Sequence, residues 1–113
     1  MDSQGGAKND GAKPDLGLIP IEALEECAKA FMYGEKKYHR YNFTKGISVN
    51  RLLAASLRHI NQSIWESEND PESGNNHLGH ALASISMALY MAKHRPDLDD
   101  RYIKVKDELK DSK

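Results

Sequence analysis

Residues 48–96 read SVNRLLAASLRHINQSIWESENDPESGNNHLGHALASISMALYMAKHRP. In the first part of this stretch Leu52, Leu53, Leu57, Ile60 and Ile64 recur at helical spacing, which predicts a helix over about 49–67. Ser48 stands where a hydroxyl can cap its first turn. Glu66 to Asn76 follows as a loop, with Pro71 and Gly74 as breakers. Asn75 or Asn76 then caps a third helix running to about His94, ahead of Pro96. Its apolar positions are Leu78, Ala81, Leu82, Ile85, Leu89 and Met91. A loop this short makes the two helices antiparallel neighbours.

Upstream, Leu24, Cys27, Ala28, Phe31 and Met32 share a helix face, and Pro20 suits a first turn. Glu22, Glu25 and Glu26 fall early in that helix, where its dipole favours anions. Gly34 reads as a break or kink, so this helix is expected over about 20–33, with Glu35 to Tyr38 open to resuming it. Before it lies a glycine-rich arm, residues 1–16, whose first half is expected to be flexible and whose Asn9-Asp10-Gly11 has turn chemistry. Leu16, Leu18 and Ile19 are expected to anchor the arm against the body. Downstream, a short helix is expected over Arg101 to Leu109, with Tyr102, Val105 and Leu109 facing inward. No segment alternates at the strand period. The expected fold is all-α: a compact bundle of three to four helices with an N-terminal loop arm. It is a single domain over 1–113, with core helices in 20–95 and a C-terminal helix in 97–113.

At 113 residues the chain buries only a small core, so an apolar face is left for a partner subunit, and a homo-oligomer is expected. Sixteen basic residues against 17 acidic ones give a net charge of -1. That balance argues against duplex nucleic acid as the ligand, because phosphate-backbone binding needs a basic excess. The lone Cys27 cannot staple a fold, which points to a reducing compartment. With no long apolar run and a polar N-terminus, the expectation is a cytoplasmic protein with no membrane partner.

Three polar clusters lie off the apolar faces. Lys8 and Lys13 flank Gly11, where backbone and ammonium groups can approach a phosphate. Tyr33, Lys37, Tyr38, Arg40, Tyr41 and Asn42 fall close together; rings stack bases, cations hold phosphates, and an amide reads a base edge. The third cluster lies on helices two and three. Arg51 and Arg58, seven apart, share a stripe suited to phosphate. His59 lies near the end of helix two, and His77 and His80 open helix three. The three imidazoles are therefore expected to converge with a carboxylate, Asp70 or Glu66. Two uses compete: a divalent metal held by His59, His77, His80, Asp70 and Glu66, or phosphate binding by the arginines with imidazole donors. A structural reading also stands, with His77 and His80 capping backbone groups and Asp70 pairing with Arg58.

Many of these residues fall into one ordered pattern. It opens with Lys8-x-Asp10-x-x-Lys13-Pro14-x-Leu16-x-Leu18-Ile19-Pro20-x-x-Ala23-Leu24. It continues with Tyr33-Gly34-x-x-Lys37-Tyr38, Asn42, Gly46 and Arg51-Leu52-x-Ala54-Ala55-x-x-Arg58-His59. It closes with Asp70-Pro71-Glu72-Ser73-Gly74-x-x-His77-Leu78-x-His80-Ala81. From about residue 8 to about residue 92 the chain resembles a small phage and prophage domain family, the N-terminal domain of dATP/dGTP diphosphohydrolases. The resemblance implies a helical fold and a purine deoxynucleotide ligand. MazG-like pyrophosphohydrolases hold Mg²⁺ with a Glu-x-x-Glu and a Glu-x-x-Asp on two helices. Here Glu22-x-x-Glu25 is the one Glu-x-x-Glu, and helices two and three carry no matching Glu-x-x-Asp.

Two functions of different class follow as expectations. In the first, Lys8, Lys13, Lys37, Tyr38, Arg40, Asn42, Arg51, Arg58, His59, His77 and His80 bind a purine nucleotide or a nucleotide-derived signal and sequester it without a cofactor. The analogy is to small helical phage oligomers that absorb nucleotide immune signals in the host cytoplasm. In the second, a divalent metal activates water to hydrolyse dATP or dGTP.

Overall fold

The computed structural model describes residues 11–110. Four α-helices follow one another: α1 (Ile21–Lys37), α2 (Val49–Trp65), α3 (His77–His94) and α4 (Tyr102–Lys110). Short 3-10 turns lie at Leu16–Leu18, Asn42–Lys45 and Pro96–Leu98. Among the described residues there is no strand, and a single antiparallel bridge joins Asn69 to Asn76. The all-α bundle read from the sequence is the fold. No helix of the described residues is long and apolar enough to cross a membrane.

The helix limits follow local chemistry. Ser48 Oγ accepts the Arg51 amide and caps α2. Asn76 caps α3 by accepting the Leu78 amide at 2.7 Å, and α3 stops at His94 before Arg95-Pro96. α1 starts after Pro20 with Glu22 in its first turn and ends on Lys36 and Lys37, both favourable to the dipole. It runs straight through Gly34, where a break was expected. A glycine inside a helix costs only about 1 kcal/mol relative to alanine, which the flanking turns absorb.

α3 is the central element and packs against both α1 and α2. Its α2 contact is close because small residues meet there. Ser56 Oγ shares its proton between the Leu52 carbonyl of its own helix at 3.0 Å and the Ala81 carbonyl across the interface at 3.2 Å. Val49, Leu52, Ala88 and Met91 form the core, with Phe43, Ile47, Leu53, Met87 and Leu98 against it. The α1 contact is close as well: a Cβ on Gly79 would stand 2.6 Å from the Glu26 carbonyl oxygen. Only glycine lets the two backbones approach this way.

Four expectations about apolar faces are corrected. Leu24, Ala28 and Met32, read as part of the apolar face of α1, are exposed. Leu57 and Ile64 of α2 are 66% and 65% exposed. The buried face of α2 carries Val49, Leu52 and Ser56, and the large apolar residues lie roughly a third of a turn away from its centre. Leu16, Leu18 and Ile19 are exposed, so they do not anchor the arm. Tyr102 and Leu109 of α4 are also exposed, and only Val105 of the three is half-buried. α4 is short and barely touches the other helices, so it has no apolar face to dock on.

Candidate functional site

A cavity of about 870 Å³ opens between the C-terminal half of α1, residues 38–43, and the adjoining ends of α2 and α3. That volume lies in the range of small-molecule sites. α1 brings Phe31, Tyr33 and Lys37 to its wall, and the connector brings Tyr38, Arg40, Tyr41, Asn42 and Phe43. The connector can do this because Tyr41 takes a left-handed conformation, φ 66°. A non-glycine residue held there is strained, a feature concentrated at functional sites. Thr44 Oγ1 donates to the Tyr41 carbonyl at 2.7 Å and fixes the turn.

The rim carries paired charges. Tyr33 donates to the Glu72 carboxylate at 2.6 Å, and the Lys37 ammonium donates to the same oxygen at 3.3 Å. These contacts hold Glu72 below its ordinary carboxylate range, the Tyr33 hydroxyl first and Lys37 next. The same carboxylate raises Tyr33 and Lys37. Arg40 donates to Glu35 at 3.1 Å, which raises its pKa. All four charged groups are exposed, and such pairs contribute about 0–1 kcal/mol. Both cations are therefore cheaply recruited to another anion.

The inner end is the histidine cluster. His59 Nδ1 and His77 Nδ1 are 2.9 Å apart. The His59 and His80 rings stack at 4.8 Å between centroids, and Tyr33 meets His80 edge-on at 6.0 Å. His77 is buried behind His59, 1% exposed. Burial and the neighbouring imidazoles of His80 and His77 lower the pKa of His59, and burial lowers that of His80. Nitrogens of His59 and His77 and a carboxylate oxygen of Asp70 all lie within 4.8 Å of one another, a set able to hold a metal ion.

The loop between α2 and α3 sets Asp70 there. The Asp70 amide donates to the Asn75 carbonyl and the Gly74 amide to the Asp70 carbonyl, closing a turn in which Gly74 has φ 77°. The Ser73 amide donates to the Asp70 carboxylate at 2.9 Å. Burial pushes Asp70 up, but Ser73 and the nearby histidines outweigh it and hold the carboxyl below its ordinary range. Ser73 Oγ lies 2.6 Å from His80 Nε2, and Asn75 donates to the Lys29 carbonyl, tying the loop to α1.

The candidates thus divide. Lys37, Tyr38, Arg40, Asn42, His59, His80 and Asp70 line one cavity, with His77 behind it. Arg51 and Arg58 line a separate depression of about 350 Å³ with Ile47, Ala54 and Ala55. Lys13 and Glu66 are exposed and line neither, and Lys8 lies outside the described residues. Among those residues no ion pair joins Asp70 to Arg58. Asn76, not a histidine side chain, caps α3. Sequence reasoning missed Phe31, Ser67 and Ser73 as parts of the site. Phe31 looked like core, and the turn chemistry of Asp70-Pro71-Glu72-Ser73-Gly74 was the available signal for Ser73.

Residues 3–101 match the family described as dATP/dGTP diphosphohydrolase, N-terminal. A dATP/dGTP diphosphohydrolase of Salmonella phage PMBT28 is 35% identical over 96 residues, covering 85% of this chain and 33% of that protein. The chain spans about a third of that relative's length. No solved structure matches. With the match running through the cavity and the histidine cluster alike, the chain belongs to the dATP/dGTP diphosphohydrolase N-terminal family.

Proposed function

We propose that the chain binds a purine nucleotide, or a signal molecule derived from one, in the cavity between α1 and α3 and sequesters it. The observation that carries this reading is the make-up of the wall: Phe31, Tyr33, Tyr38, Tyr41 and Phe43 beside Lys37 and Arg40. Rings offer flat faces for a base, at about 1–3 kcal/mol per stacked base. The ammonium and guanidinium take phosphate oxygens, and the Asn42 amide can donate to and accept from a purine edge. The family name and the phage relative support a purine deoxynucleotide as the ligand class. Sequestration is supported by the position of Glu22-x-x-Glu25, which lies in the N-terminal half of α1 and outside the cavity lining. The exposed apolar stripe of Leu57, Ile64 and Trp65 supports a homo-oligomer, and the proposed setting is the cytoplasm of an infected host cell.

A second reading, hydrolysis of the same nucleotide, is favoured by one observation, the His59, His77 and Asp70 donors at the inner end of the cavity. One experiment separates the two. The purified chain is titrated with dATP and dGTP by calorimetry, and the nucleotide is recovered after denaturation. Saturable binding with intact triphosphate is expected. Monophosphate and pyrophosphate in the recovered pool would establish turnover, and no heat with either nucleotide would remove both readings.

A further inference from the structure

We propose that His59, His77 and Asp70 bind a divalent first-row transition ion through His59 Nδ1, His77 Nδ1 and a carboxylate oxygen, with Ser67 as the positioning residue. The inference does not depend on nucleotide binding.

The argument starts at the hydroxyl of Ser67. Its one proton is donated to the Asn69 carbonyl at 2.9 Å. The same oxygen lies 3.3 Å from His77 Nε2, so toward His77 it acts as an acceptor. His77 therefore carries its proton on Nε2 and presents a bare lone pair on Nδ1. That is the arrangement of a metal-ligating histidine, whose second ring nitrogen donates to a fixed oxygen partner. Here the ring is also 1% exposed and held in place from the backbone: the His77 amide donates to the Glu68 carbonyl at 3.0 Å.

The bare nitrogen points at His59 Nδ1, 2.9 Å away. Without a metal the contact needs a proton between the two nitrogens, carried by His59. A divalent ion takes that proton's place and the ring takes up a proton on Nε2, so His59 binds as its other neutral tautomer with no net proton release. Two Zn–N bonds at a tetrahedral angle put the nitrogens roughly 3.3 Å apart, so the rings part by a few tenths of an ångström. His59 stands at the cavity wall and has room to move. Asp70, pinned by the Ser73 amide, is the third donor. Two imidazoles and a carboxylate make a three-protein-ligand set that suits Zn²⁺, Co²⁺ and Fe²⁺ rather than Mg²⁺ or Ca²⁺, which favour all-oxygen shells. The position at the cavity end leaves a fourth coordination site facing the cavity.

The test uses the whole chain, stripped with chelator and titrated with Co²⁺ and then Zn²⁺. Visible ligand-field bands from one bound Co²⁺, displaced by Zn²⁺, are expected. Asp70→Asn and His59→Gln, neither fully buried, should abolish the bands while retaining native helix content. Ser67→Ala should keep the bands and weaken affinity about 10–100-fold, the range for losing an outer-shell partner. His77→Ala removes a buried ring, so it is read only alongside circular dichroism. No saturable Co²⁺ or Zn²⁺ binding in the micromolar range would overturn the proposal. So would one-equivalent binding that survives both Asp70→Asn and His59→Gln.

Discussion

Helix α2 carries Arg58 and His59 side by side in the chain, yet the two belong to different parts of the molecule. His59 turns toward α3, stacks on His80 and reaches His77. Arg58 turns about 100° away, as consecutive helix residues must, and lines an open depression with Arg51. Besides Val49 and Leu52, which enter the core, the inward face carries small and polar groups, Ser56, Ser63 and His59, each given a partner by the fold. The outward side carries the exposed apolar groups Leu57, Ile64 and Trp65, with Arg51 and Arg58 nearby. Close helix packing explains the inversion. α2 and α3 approach through Ser56 and Ala81, and a leucine there would hold them apart. The hydrophobic surplus is displaced to the outside, where a second copy of the chain can cover it.

The most severe way to break this contrast is to charge the outer face. Leu57→Asp combined with Ile64→Asp should convert the proposed oligomer to monomer at tens of micromolar while leaving the helix content intact. Burying a Leu or Ile contributes about 1.5–3 kcal/mol, and a two-fold interface counts each substitution twice. Light scattering of wild type and variant decides it. A wild-type monomer would leave the apolar stripe without a self-partner.

The inner face is tested next by removing its buried ring. His77→Ala leaves a cavity and removes the donor to the Ser67 oxygen, and should cost about 2–4 kcal/mol of unfolding free energy. In a domain of this size that lowers Tm by roughly 10–20 °C. Arg58→Ala, which breaks no side-chain hydrogen bond or ion pair among the described residues, should stay within about 0.5 kcal/mol of wild type. Similar melting shifts for the two would erase the contrast between the faces.

Nucleotide binding sharpens the same comparison. Lys37→Ala and Arg40→Ala should each weaken dATP affinity about tenfold, the loss of one charge-assisted hydrogen bond at roughly 1.5–3 kcal/mol less what the freed Glu72 or Glu35 regains in water. Arg51→Ala and Arg58→Ala should change it by less than about twofold, because their depression is separate from the cavity. An equal loss in the Arg58 variant would mean that a second copy delivers its arginine to the cavity.

These faces explain what the sequence could and could not reveal. Helix starts and stops were legible because they are local: Ser48, Asn76 and Pro96 act within a turn of themselves. So were the three histidines, whose helical registers bring them together across a short loop. The buried face of α2 was not legible, because hydrophobicity points to Leu57 and Ile64 while packing selects Ser56. The choice of Asp70 over Glu66 was hidden in loop geometry, in a turn closed by Gly74 at positive φ. Gly34 misled for the opposite reason: a local breaker signal was too weak to interrupt a helix held on both sides.

The smallest effect is expected at the other end of α2, away from the histidines. There the Asp100 carboxylate accepts the Ser48 hydroxyl at 2.8 Å and the Asn50 amide at 2.9 Å, adding an anion to the first turn. Those two contacts, the Asn50 amide first, hold Asp100 below its ordinary range. The sign of the pH effect follows. Between the lowered folded value and the ordinary value of 3.8, the unfolded chain binds more protons than the folded one. The contribution is therefore complete above that ordinary value and lost as pH falls through the folded one. Asp100→Asn keeps the backbone acceptor that Asn50 Nδ2 uses but removes the charge, and should cost about 1 kcal/mol at neutral pH. Because the variant lacks the titrating group, its stability should fall less steeply than wild type in acid, so the two unfolding curves converge toward pH 3. Cavity properties at neutral pH should be untouched, since Asp100 lies outside the cavity lining. Parallel curves down to pH 3 would show that Asp100 adds nothing through its charge, leaving the Ser48 hydroxyl as the working cap at that end of the helix.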